Sequence, residues 1–380
     1  MFDERDKIIH LFWSMKNVKG ILLIFILGLT SLAGKAQFGK NPIIAEVKVH
    51  SGMNLPFYKA LGYLIKDDIY AFDLSLSHPA DGKDYWEKLY RFPRQGVGFS
   101  YWTLGNNEVF GKAYVLYTFI KIPLCKPTQT FSLDYQFAAG AAYTPKTFNI
   151  YTNHLNRAIS SHINLYIHLG LDGRITILPN CELEIDAGIS HFSNGKTKSP
   201  NYGINAGSFS LGFNYNFNNE GFTKHDPEIP EFQKQFVQSI IFSAGSKVYD
   251  NLLGRKYLTS SLSYNIERTV SLKREIGLGA DFSYDGSIRE GLASEDGAPE
   301  QNLGKLLRAG LHSSYAIRYK QMVMGIQIGY YLYSKYTVIT RVYNKISVQY
   351  LLPGNFSLNI GVKSHMAKAD CLEYGIGYRW

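Results

Sequence analysis

Three residues frame the chemical question. In the stretch CELEIDAGISHFS, His191 and Ser193 stand two residues apart, and Asn205 follows twelve residues after the serine. A histidine beside a hydroxyl can take its proton and make the oxygen a nucleophile, while a third polar group on the far ring nitrogen fixes the ring. Such a set hydrolyses esters, provided that all three side chains share one face.

Parity predicts that they do. In a strand through residues 181–193, Leu183, Ile185, Ala187, Ile189, His191 and Ser193 share one side, and Glu182, Glu184, Asp186, Gly188, Ser190 and Phe192 the other. Acidic groups cannot line the lipid side of a membrane strand, so the odd positions face lipid. In the next segment, GINAGSFSLGFNYNF, the apolar face is Phe209, Leu211, Phe213, Tyr215 and Phe217, and parity adds Asn205 to it. A nucleophile placed there meets lipid esters.

The elements that must position these residues are strands. Polar and apolar residues alternate with a period of two after residue 40, in about eight segments on each side of a polar stretch, as in TFSLDYQF and SHINLYIHLG. The composition agrees: 19% charged, 14% aromatic, 28 Tyr, 23 Phe and 35 Gly favour strands and tight turns. A mean hydropathy of −0.14 excludes a bundle of membrane helices. It leaves open a membrane barrel, in which only alternate residues meet lipid.

Lys16 and Lys19 precede an apolar run from Gly20 to Leu32, and AGKAQ sets Gly34 and Ala36 before Gln37. This pattern predicts a signal peptide over residues 1–36, with Met15 as a candidate start. Export, strands of ten or more residues and aromatic residues near strand ends predict an all-β chain. The expected fold is a transmembrane antiparallel β-barrel of about 16 strands, in preference to a periplasmic β protein. Leu372, Tyr374, Ile376, Tyr378 and Trp380 share one apolar face, and this terminal strand resembles the signal read by the barrel assembly machinery. Residues 37–217 and 237–380 form the two halves, and residues 218–236, with two prolines, form a linker or long turn. One large barrel is preferred over two eight-stranded units, because a single closed wall leaves fewer edges to protect.

Cys125, Cys181 and Cys371 are too few and too scattered for a disulfide framework or a zinc site. His162 and His168 share a face near Glu182, Glu184 and Asp186, where a network of paired polar groups is favoured over a metal. GISHFSN at Gly188 is faintly echoed by GVKSHMAKAD at Gly361. His365 lies opposite the apolar face of Phe356, Leu358, Ile360 and Val362, so the second half does not form the same site. The net charge of +9 suits an anionic partner or a set of solvated loops, and charge alone does not choose between them.

The stretch from His191 to Asn205 resembles the lipid A 3-O-deacylases, small outer-membrane barrels with a His-x-Ser-Asn motif, then Pro-Asn-x-Gly, then an acid twelve residues after the serine. Here these positions hold His191, Ser193, Asn194, Pro200, Asn201 and Gly203, with Asn205 in the acid's place. The resemblance covers the last two strands of the first half closely and the rest of that half by pattern. It implies Ser193 as nucleophile, His191 as general base, Asn205 as orienter, and Asn194 and Asn201 as oxyanion or positioning groups. It further implies no metal or organic cofactor, lipid A of lipopolysaccharide as substrate, no nucleic-acid partner, and a site facing the outer leaflet of a Gram-negative type of outer membrane. Asparagine can orient a histidine but lends no charge to an imidazolium. Two other readings stay open: a non-enzymatic barrel, channel or structural wall that keeps the motif as a relic, and a phospholipase-like barrel with the same nucleophile.

Overall fold

The structure is a computed structural model that describes residues 42–380, apart from 218–223, 250–254, 297–301, 336–339 and 367. The expected signal peptide lies outside the described residues, as does the start of the expected linker.

Sixteen antiparallel strands follow one another up and down. The first eight, β1 (Ile44–Asn54), β2 (Ile69–Pro79), β3 (Arg94–Thr103), β4 (Lys112–Pro123), β5 (Phe131–Tyr143), β6 (Ile163–Leu178), β7 (Cys181–Ser193) and β8 (Ile204–Asn216), close on themselves. The closure runs along the whole of β1, from Ile44↔Asn216 to Asn54↔Ala206. The second eight, β9 (Phe236–Val248), β10 (Lys256–Ser271), β11 (Arg274–Asp285), β12 (Leu307–Tyr319), β13 (Met322–Ser334), β14 (Val342–Leu351), β15 (Phe356–His365) and β16 (Lys368–Arg379), close through β16 and β9. The number of strands is as expected, but they form two barrels rather than one. The concern over strand edges does not separate the alternatives, because β8 returns to β1 in full register and leaves β9 no edge to join.

An eight-stranded barrel is just wide enough inside for side chains to fill it, and both lumens are filled. In the first, the Lys121 ammonium lies 2.7 Å from Glu46, 2.8 Å from Glu184 and 3.2 Å from Asp172. Arg94 pairs with Glu182, and Arg174 with Asp134. Nearer the other end Trp102, Tyr166 and Phe192 pack ring against ring. In the second barrel Tyr331 stacks on Tyr343, His312 binds Asp281, and Lys247 sits between Asp285 and Asp370. These buried charges are paired, as a low-dielectric interior requires.

The outer walls are the reverse. On β7 Leu183, Ile185 and Ile189 are exposed, whereas Glu184, Asp186, Ser190 and Phe192 are buried, as parity requires. Exposed Phe209, Leu211 and Phe213 on β8 continue the belt. Apolar surface on such a scale suits lipid rather than water. His168 is in the lumen as expected, bound to Ser190 at 2.9 Å and close to Asp186. His162, by contrast, precedes β6, is exposed, and meets the carbonyl of Thr144. The two histidines do not share a face, because the strand begins one residue after His162. Among the described residues no group of three His, Cys, Asp or Glu side chains could hold a metal ion.

Because the strands alternate, loops after odd strands gather at one end of each barrel. Loops after even strands gather at the other, with the segment that joins the two units. At that second end a short helix, Tyr85–Leu89, reaches the β12–β13 turn. Tyr90 donates to the carbonyl of Arg318, Gln95 to the Tyr319 hydroxyl at 2.9 Å, and Lys320 to Glu87 at 2.9 Å. The barrels therefore stand side by side and parallel. The described part of the joining segment runs beneath the first barrel, where His225 donates to the carbonyl of Asp81 and Asp226 pairs with Lys88.

Candidate active site

His191 and Asn205 are directly opposite each other on β7 and β8. Cross-strand partners on one face stand close enough for short side chains to touch, and here they do: His191 Nδ1 lies 2.7 Å from Asn205 Oδ1. Two residues along the same face, Ser193 Oγ lies 2.9 Å from His191 Nε2. The histidine is thus held at both nitrogens, by the two groups that parity had placed with it.

The network also assigns the histidine's proton. The Asn205 amide nitrogen faces the carbonyl of Leu55 at 3.4 Å, which can only accept. The amide oxygen is therefore the atom turned to the ring, and it accepts from Nδ1–H. That leaves Nε2 with its lone pair toward Ser193, the tautomer a general base needs. The backbone of Leu55 donates to the Asn205 carbonyl at 2.7 Å, so the orienting residue is also tied to the chain just after β1.

The loop after Ser193 folds back over the site. The backbone N–H of Asn194 donates to Asn201 Oδ1 at 3.2 Å. The Asn194 side chain is buried, with its amide nitrogen within hydrogen-bond distance of Ser160, Ser161 and the carbonyl of Lys198, so it ties the strand end to the β5–β6 loop and to its own loop. Asn201 itself borders the cavity over Ser193. With its oxygen turned to Asn194, its amide N–H groups are the end free to face a reacting carbonyl. Gly203 has φ +73°, and a Cβ there would stand 2.8 Å from His191 Cε1. Only glycine leaves the ring its place.

The cavity has a volume of about 460 Å³ and is bordered by His191, Ser193, Asn201 and Asn205. Phe57, Tyr58, Lys196 and Tyr202 add to it, with Tyr58 stacked on Tyr202 at 4.2 Å. Sequence reasoning passed over these four. Tyr202 fills the variable position within the Pro-Asn-x-Gly stretch, and Phe57 and Tyr58 lie in a loop with no periodicity to mark them. His365 faces the lumen side as expected, 5.9 Å from the Tyr331 ring. It makes no second site, yet it borders the same cavity as Ser193 from the neighbouring barrel.

Residues 70–214 match the family model described as lipid A 3-O-deacylase (PagL), and residues 235–380 match the C-terminal domain of acyloxyacyl hydrolase. No curated protein matches the chain. Among solved structures, the outer membrane enzyme PagL is 17% identical, over 44% of this chain and 97% of that one, with a TM-score of 0.30. Neisserial surface protein A is 12% identical, over 46% of this chain and 96% of that one, with a TM-score of 0.29. The two matched family models, one to each barrel, carry the assignment: residues 70–214 belong to the lipid A 3-O-deacylase (PagL) family, and residues 235–380 to the acyloxyacyl hydrolase C-terminal domain family.

Proposed function

We propose that Ser193 and His191 hydrolyse an ester-linked acyl chain of lipid A, making the protein a carboxylic ester hydrolase of the outer membrane. The observation that carries this is His191 bound at one nitrogen to Ser193 and at the other to Asn205, on the lipid-facing wall. Ser193 Oγ attacks the ester carbonyl while its proton passes to His191 Nε2. The resulting imidazolium gives that proton to the sugar oxygen as the C–O bond breaks. Water, activated by the same nitrogen, then attacks the acyl-serine, releases the fatty acid and returns the proton to Ser193. Asn205 keeps the ring in place throughout, and the Asn201 amide is the candidate donor to the oxyanion. Asn194 serves as a strut for that loop.

With the chain ends and the joining segment on the periplasmic side, the β7–β8 loop opens into the outer leaflet, where lipopolysaccharide resides. The terminal strand β16, with exposed Tyr378 and Trp380, suits recognition by the barrel assembly machinery. The filled lumens weigh against a channel. Mass spectrometry of lipid A from cells with the wild-type protein, with Ser193→Ala and with neither tests the reading. The wild type alone should lose an ester-linked acyl chain. Equal loss with Ser193→Ala would remove Ser193 from the mechanism, and acyl loss confined to glycerophospholipids would favour the phospholipase-like alternative.

A further inference from the structure

The cavity over Ser193 has a second wall that the nucleophile's own barrel does not supply. His365, Met366, Lys368 and Ala369, from the β15–β16 turn of the other barrel, border it. The contact continues through the loop after Ser193: a Cβ built on Gly195 would lie 3.4 Å from Leu372 Cβ on β16. The two units thus meet at the catalytic end as well as at the Tyr90–Arg318 end.

The turn is shaped for contact. A register shift between Lys363 and Ser364 twists the tip of β15. Met366 has φ +49° and is 71% exposed, an apolar side chain presented at the mouth of the cleft. Lys368 is half-buried, and among the described residues no ion pair engages it. The residues that border the cavity include Lys368 and no carboxylate. A cleft that joins an esterase serine, an apolar rim and the Lys368 ammonium matches one ligand chemistry: an acylated, anionic glycolipid.

We propose that the second barrel is part of the substrate site, with Met366 against the acyl chain beside the scissile ester and Lys368 against a phosphate of the lipid A headgroup. The inference rests on the function proposed above. It gives the additional barrel a task in substrate selection, through residues that touch substrate without taking part in bond making.

Full-length protein in detergent micelles tests this with Lys368→Glu, Lys368→Arg, Met366→Glu and Ser193→Ala. The readout for Lys368 is the ratio of kcat/KM for phosphorylated over dephosphorylated lipid A. It should fall about tenfold in Lys368→Glu, through KM, as loss of a charge-assisted contact implies, and recover in Lys368→Arg. For Met366→Glu the preference for long over short acyl chains should fall. A second measurement needs no turnover: in the Ser193→Ala background, Lys368→Glu should retain less phosphorylated lipid A by native mass spectrometry. Unchanged ratios and unchanged retention, with Ser193→Ala inactive, would overturn the second barrel's role and leave the proposed function standing. A uniform fall across all substrates would also overturn it, by reducing the turn to a structural support. Lipid A hydrolysis that persists in Ser193→Ala would overturn both.

Discussion

Replacing Asn205 by alanine isolates the orienting contact from the nucleophile. The bond it removes is 2.7 Å long and runs from His191 Nδ1–H to the amide oxygen. In the resting enzyme this is a neutral hydrogen bond, worth about 0.5–1.5 kcal/mol. In the transition state the ring is an imidazolium, and a bond to a charged donor is worth about 1.5–3 kcal/mol. Only the difference, about 1–1.5 kcal/mol, falls on kcat, a loss of roughly fivefold to thirteenfold. Asn205→Asp places a carboxylate there without changing the side chain's length, and a charge at that position stabilises the imidazolium. Its kcat should equal or exceed the wild-type value. Asn205→Glu should retain or raise activity where the loop admits one more methylene. The assay is release of fatty acid from lipid A in micelles, with kcat and KM determined separately and heat-modifiable migration as the check on folding. Wild-type kcat in Asn205→Ala, alongside an inactive Ser193→Ala, would refute the reasoning, since the third member would then lie elsewhere or be unnecessary.

Other substitutions probe other links of the argument. Gly203→Ala adds a Cβ 2.8 Å from His191 Cε1 at a left-handed backbone position, so activity should collapse while heat-modifiable migration persists. Lys121→Met leaves Glu46, Glu184 and Asp172 with only one, Lys48, of the two cations they share. The barrel should lose about 3–5 kcal/mol of stability, read as a lowered unfolding midpoint in urea; an unchanged midpoint would show that the lumen charges are independently compensated. The Lys16-to-Ala36 pattern predicts a mature N-terminus at Gln37, and N-terminal sequencing that finds full-length protein in the cytosol would end the export reading.

How much of this was legible in the sequence depends on the range of the interaction involved. The faces of β7 and β8 were readable because strand periodicity is local: each Glu, Asp and Phe of CELEIDAGISHFS reports the orientation of its neighbours. Once two faces are known, His191, Ser193 and Asn205 fall on one side without any knowledge of the rest. The closure of β8 onto β1 was not readable, because alternation is the same in one large wall and in two small ones. The role of Gly203 lies in a positive φ and an approach to His191, neither of which leaves a periodic trace. The lumen pairs, such as Lys121 with Glu46, join residues far apart in the chain, and only the polarity of each face could be foreseen. His365 shows both limits: its side of β15 was right, but its nearness to Ser193 arises from the packing of one barrel on another.

The lumen charges and the site are connected through register. His191 meets Asn205 only because β7 and β8 pair with those two residues opposite. A slip of β7 by one residue would turn His191 and Ser193 into the lumen and bring Glu184 and Asp186 out to lipid. Two penalties oppose that slip. Glu184 would lose Lys48 and Lys121, and Asp186 its contact with His168, and both would enter a medium in which a charge costs several kcal/mol. Apolar Leu183, Ile185 and Ile189 would meanwhile exchange lipid for a charged interior. The inner ion pairs thus hold the alignment that places the base, its orienter and the nucleophile on the outer wall, at a site none of those ion pairs touches.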